Sequence, residues 1–260
     1  GQSWTTATFS PAIGAGQRVE VAYAPSNPTI VYASVNKNEG EVYRSTDGGQ
    51  TFTLINTAAK ALSRQGNYAN IIWVNPQDPG NIIIGGLDLW RSTDSGQTFT
   101  QISRWQSPAN VSAHADHHMI VASPAFNNST NKTVFFGNDG GIYRANDVST
   151  VAQTSGWTNL NNSLGITQFY GGAANSAGLI IGGTQDNGNL RADPVGFSGW
   201  TDFTGGDGGY VAADPTNVNY FYTEYIHLTI QRSTNGAGSA SYIYCNPVPA
   251  NNGPCTTSGI

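Results

Sequence analysis

Residues 44–53 read RSTDGGQTFT, and residues 91–100 read RSTDSGQTFT, so Asp47 and Asp94 stand 47 residues apart in two nearly identical decapeptides. Matching elements precede each copy. NPTIVYASVNKNEGEVY leads into the first and PGNIIIGGLDLW into the second, with VEVAYAPSNP and ANIIWVNPQDP further upstream. Weaker units follow, ending in GWTNL at 156–160, in GWTDF at 199–203 and in the stretch that opens at Gly209. Each unit reads as four short strands: an alternating or apolar run, a turn with Asn, Pro and Asp, a continuous apolar run such as NIIIGG or TVFFGN, and a third run ending at an arginine. The Asp-Gly turn then opens the fourth. Gly and Asn crowd the turns because several positions there need positive φ. No stretch sustains a 3.6-residue apolar period over three turns, and 56–64 is the one short helical candidate. Four strands recurring every ~40–50 residues predict propeller blades, with a solenoid of sheets as the alternative.

The count is five blades, at about 17–56, 67–104, 117–160, 168–203 and 208–260, with 1–10 as the end of a preceding one. The reading is therefore all-β, with four-stranded antiparallel blades belonging to a ring of seven or eight. Further blades are expected from sequence outside this chain or from another chain. Opening on Gly1 without a Met fits a processed or excised piece.

Composition narrows the function. Charged residues make up 10% of the chain, against roughly 25% for ordinary domains, and the net charge is -5. Nothing here would draw in a phosphate backbone, so nucleic acid is not expected as a partner. No run of 18 apolar residues marks a membrane helix. Lysine occurs only at Lys37, Lys60 and Lys132, and the polar, weakly charged remainder suits an extracellular or cell-surface protein. Cys245 and Cys255 bracket a short loop, as a disulfide or as two thiols; a disulfide would agree with an oxidising compartment. Sequons at Asn110, Asn127, Asn128, Asn131 and Asn161 would matter only in a eukaryotic secretory host.

The pattern SxDxGxTF resembles the Asp-box repeat of sialidases, of family 74 glycoside hydrolases and of sortilin-type ectodomains. Ser45, Asp47, Gly49, Thr51 and Phe52 carry it once, and Ser92, Asp94, Gly96, Thr98 and Phe99 carry it again. Asp147 falls near the third position, Asp193 near the fourth, and Asn235 replaces the aspartate in the fifth. The resemblance implies a propeller whose boxes lie away from the active face and serve structure. It also implies that a sialidase would need three converging arginines. Here Arg44, Arg91, Arg144, Arg191 and Arg232 are absorbed by the blade pattern.

In a propeller the loops joining strands two and three share a face with those joining successive blades. That rule gathers Asp88, Asn138, Asp139, Gln185, Asp186, Asn187, Asp207 and Tyr210 with the segment His114-Ala-Asp116-His117-His118. If that segment is extended, alternation points His114, Asp116 and His118 one way as a metal set for a divalent cation such as calcium. The competing reading is a structural hydrogen-bond network, and no cofactor is required. Tyr68, Trp90, Trp105, Tyr143, Tyr170 and Tyr225 add rings near the same face, for sugar stacking or for packing. Two functions follow. One is an extracellular binding or scaffold module for polysaccharide or a surface protein, using Asp88, His114, Asp116, His117, Asn138, Gln185, Asn187 and Tyr210. The other is a hydrolase similar to family 74, acting on a β-glucan such as xyloglucan, with paired aspartates from Asp139, Asp186 and Asp207 as acid and base.

Overall fold

The computed structural model describes residues 5–57, 59–108, 111–162, 164, 167–192, 199–226 and 228–244. Cys245, Cys255, Asn110 and Asp193 lie outside them. The chain divides into two compact units, residues 1–164 and 165–260.

Unit 1 holds three sheets. The first contains β1 (Thr8–Ser10), β2 (Val19–Ala24), β3 (Asn27–Val35), β4 (Glu41–Ser45) and β5 (Thr51–Asn56). The second is β6 (Ile71–Val74), β7 (Ile82–Gly85), β8 (Leu89–Ser92) and β9 (Thr100–Gln101). The third is β10 (His117–Ala122), β11 (Val134–Asn138), β12 (Gly141–Ala145) and β13 (Trp157–Asn159). Unit 2 holds two more: β14 (Phe169–Ala174), β15 (Ile180–Thr184), β16 (Asn189–Ala192) and β17 (Trp200–Thr204), then β18 (Val211–Ala213), β19 (Phe221–Tyr225), β20 (Thr229–Ser233) and β21 (Ser241–Tyr244). Apart from β1, each sheet is an antiparallel meander in chain order, as propeller-like blades require.

The apolar runs explain how the blades stack. In β7 the residues Ile82, Ile83 and Ile84 are all buried. Ile82 and Ile84 join Ile30, Tyr32, Val42, Ile72 and Val74 against the first blade, while Ile83 joins Trp73, Leu89, Phe136 and Trp157 against the third. Side chains alternate along a strand, so a strand covered on both faces must be apolar throughout. Each such isoleucine contributes roughly 1.5–3 kcal/mol by leaving water. The Trp157 indole donates to Ile102 O at 3.1 Å and Ala152 O at 2.9 Å, which fixes the ring between the second and third blades. In unit 2, Leu179, Ile181, Phe221 and Ala237 form the corresponding core.

The Asp-boxes are local hydrogen-bond cages. Asp47 Oδ1 accepts from Ser45 Oγ (2.6 Å) and from the amides of Gln50 (3.0 Å) and Thr51 (2.9 Å), while Oδ2 accepts from Thr51 Oγ1 at 2.6 Å. Asp94 repeats this with Ser92 and Thr98. The donors hold both carboxylates down: Ser45 is the largest influence on Asp47, then Thr51, and Thr98 is the largest on Asp94, which falls to about 2. In the last blade Asn235 Oδ1 accepts from Ser233 Oγ (2.9 Å) and from the amides of Gly238 (3.1 Å) and Ser239 (3.0 Å), reproducing the cage without charge.

Two expectations change. The 56–64 stretch is not helical; beyond Asn56 its described residues turn, and Lys60 and Ser63 have φ of +50°, which an α-helix of L-residues does not accommodate. Of the N-terminal stretch expected to end a preceding blade, β1 instead pairs parallel with β5, aligning Phe9 with Phe52, and the two rings stack at 4.7 Å. Among the described residues no helix is long and apolar enough to cross a membrane.

Candidate functional site

Asp139 stands at the tip of the β11–β12 hairpin, where Asn138 and Gly141 pair and only Asp139 and Gly140 bridge them. Neighbours hold the tip rigid. Asn138 Oδ1 accepts from the Gly140 amide at 3.1 Å. Asn161 brackets the turn, accepting from the Ile142 amide at 2.8 Å and donating to Gly140 O at 2.6 Å. Gly140 cannot carry a side chain, because a Cβ there would sit 2.4 Å from the Cβ of His114.

Both oxygens of Asp139 are engaged. The Tyr68 hydroxyl donates to Oδ2 at 2.7 Å, and His118 Nε2 lies 2.7 Å from Oδ1. The Tyr68 and His118 rings meet edge-on, with centroids 5.0 Å apart. The Asp139 side chain is 11% exposed and that of His118 37%, so the pair opens to solvent. Asp116 is 7% exposed and offers a carboxylate oxygen within 4.8 Å of one of Asp139's.

The segment 114–118 is not extended. Asp116 takes φ +58°, reversing the backbone, and β10 begins only at His117. Alternation therefore does not place His114, Asp116 and His118 in one row. His118 goes to Asp139, and His114 Nδ1 lies 3.3 Å from Ala115 O. His117 is fully buried, its amide donating to Gly86 O at 2.9 Å. Burial, reinforced by His114 and His118, lowers its imidazole to about 3, so it is neutral at physiological pH. As hard oxygen donors, Asp116 and Asp139 suit a cation such as calcium, but they supply only part of the six to eight oxygens it takes.

Asp88 was expected on the binding face; it is a buried acceptor instead. Trp105 N (2.8 Å), Ser103 Oγ (3.0 Å) and Gln101 Nε2 (3.0 Å) all donate to it. Burial holds its carboxyl above the usual carboxylate range despite these donors. In unit 2, Asp207 Oδ1 accepts from the Asp186 amide at 3.1 Å, Gln185 Oε1 accepts from the Tyr170 hydroxyl at 2.8 Å, and Asn187 Nδ2 donates to Gln185 O at 3.0 Å. Tyr210 is largely exposed. Three of the blade arginines are occupied: Arg91 donates to Val148 O and Val151 O, while Arg44 and Arg232 lie over the rings of Tyr32 and Tyr220. Sequence reading had named Tyr68 only as a ring near this face. Its hydrogen bond to a carboxylate 71 residues away leaves no local signal, and neither does the bracket formed by Asn161.

No protein-family model and no curated protein matches the chain. Among solved structures it resembles a GH74 enzyme of Niastella koreensis, at 19% identity and a TM-score of 0.40, over 85% of this chain and 37% of that one. The GH74 xyloglucanase of Xanthomonas campestris is similar at 16% identity and a TM-score of 0.26, over 86% of this chain and 40% of the other. YCF48 of Cyanidioschyzon merolae is similar at 11% identity and a TM-score of 0.37, over 87% and 71%. The chain thus spans well under half the length of these GH74 enzymes.

Proposed function

We propose that the protein is a carbohydrate-active enzyme, a glycoside hydrolase acting on a β-glucan such as xyloglucan at the cell surface or outside the cell. The observation that carries this reading is the Asp116–Asp139 pair in unit 1. Their oxygens lie within 4.8 Å, closer than the roughly 5–5.5 Å between the paired carboxyl groups of retaining enzymes and well short of the inverting spacing. Their surroundings also differ. Both carboxylates are largely enclosed, and Asp139 is also held by a phenol and by an imidazole that reaches solvent. Hydrolysis of a glycosidic bond divides the labour between two such carboxyls, one giving a proton to the leaving oxygen and one acting on the opposite face. Asp186 and Asp207 of unit 2 stay candidates by their place in equivalent loops.

The test is a polysaccharide screen with detection of new reducing ends. Release of oligosaccharides that is lost in Asp139→Asn and in Asp116→Asn supports the reading. A second reading, a glycan-binding or scaffold module, is favoured by the half-exposed rings of Tyr68 and Trp105, which offer stacking faces without chemistry. Retention on a polysaccharide gel without release would select it. Elemental analysis of protein purified without chelator decides whether a divalent cation accompanies the carboxylates.

A further inference from the structure

We infer that Tyr68 and Arg18, both held by the first blade, complete the site on the third blade: Tyr68 fixes Asp139 through its hydroxyl and offers its ring to a sugar, and Arg18 is the residue that positions Tyr68. This rests on the hydrolase reading above and adds to it.

The loop carrying Tyr68 is tied to the first blade at several points. Gly66 packs against Asn36 so closely that a Cβ would meet Asn36 Oδ1 at 2.2 Å, and Asn36 Nδ2 donates to Asn67 Oδ1 at 2.7 Å. Asn70 Nδ2 donates to Ser34 O at 3.2 Å. Arg18 draws the backbone carbonyls together: Nη1 donates to Tyr68 O at 2.6 Å and Asn67 O at 3.1 Å, and Nη2 donates to Asn70 O at 3.3 Å. Glu20 orients the guanidinium by accepting from Nε at 3.1 Å and Nη2 at 2.9 Å. Only a planar fork with several donors can bridge three carbonyls and a carboxylate at once. From this anchored loop the phenol donates to Asp139 Oδ2 on the third blade.

The ring is 47% exposed while its hydroxyl is bound, so its apolar surface faces solvent beside the carboxylate. A pyranose with equatorial substituents, as in a β-linked glucan, presents an apolar face that fits such a ring. The hydroxyl governs Asp139 and the ring governs binding, which makes the two roles separable.

The experiment uses the protein as it stands, with soluble xyloglucan as the probe. Tyr68→Phe keeps the ring and removes the hydroxyl; kcat should fall about 10–100-fold, the worth of one hydrogen bond to a charged group, with KM within about twofold. Tyr68→Ala should raise KM as well. Arg18→Gln should lower kcat in the same direction as Tyr68→Phe, and Arg18→Lys should recover part of the loss. Wild-type kcat in Tyr68→Phe would overturn the role of the hydroxyl, and wild-type kcat in Arg18→Gln would overturn that of Arg18. If the wild-type protein releases no sugar, the hydrolase reading itself fails. The contact is then read from the melting temperatures of Tyr68→Phe, Asp139→Asn and the double variant: non-additive shifts uphold it, and additive shifts refute it.

Discussion

Replacing Asp88 by alanine and by asparagine separates a buried acceptor from a surface ligand. The aspartate receives three hydrogen bonds, from Ser103, Trp105 and Gln101, and Ser103 in turn accepts from the Leu89 amide at 2.8 Å. Alanine removes the acceptor and leaves three donors in a largely enclosed pocket. At about 1 kcal/mol for each donor deprived of its partner, the cost is about 3 kcal/mol. Asparagine keeps one carbonyl oxygen for Ser103 and Trp105 and removes a charge that burial disfavours, so its cost at pH 7 is about 1 kcal/mol or less. The pH dependence has a definite sign. Burial raises the folded-state value of Asp88 above its unfolded 3.8, so its contribution is fully present below 3.8 and is lost as pH rises through the folded value. Asparagine carries no such loss and should gain on the wild type between pH 3 and pH 7. Urea unfolding at both pH values, followed by tryptophan fluorescence, reads both differences. Equal costs for the two variants, or an asparagine cost that does not shrink as pH rises, would refute the placement of Asp88 as an internal acceptor.

Two further outcomes follow from the fold. Asp94 falls to about 2 in the folded protein against 3.8 for the free group, so its stabilisation is complete above 3.8 and disappears as pH drops through 2; Asp94→Asn should flatten the acid limb of a pH-unfolding curve in that window, and an unchanged limb would contradict the cage. Gly183→Ala would put a Cβ 1.9 Å from the carbonyl oxygen of Gly209, a backbone atom, and should lower the melting temperature of unit 2 by several degrees, as differential scanning calorimetry would show.

What could be read in advance depended on how far each interaction reaches along the chain. The boxes were legible because Ser45, Asp47 and Thr51 close their bonds within four residues. The blade strands were legible because burial on both faces writes itself as Ile82-Ile83-Ile84. The candidate site was legible only as a neighbourhood. Asp139 and His118 could be placed near one another by topology, but the left-handed backbone at Asp116 cancels the alternation from which a His114–Asp116–His118 row was drawn. Asp88 looks like any loop aspartate until Ser103 and Trp105 fold over it. Tyr68 bonds a carboxylate 71 residues further along the chain, a separation that no periodicity records.

The uncharged cage around Asn235 has a consequence for how the molecule meets acid. The turns at Asp47 and Asp94 depend on ionised groups, and each loosens when its carboxylate takes up a proton. The amide of Asn235 has nothing to titrate, so the last blade keeps its outer turn where the first two give way. Acid would then loosen those two box turns and spare the one around Asn235, a contrast that rests on one atom's difference between an acid and its amide.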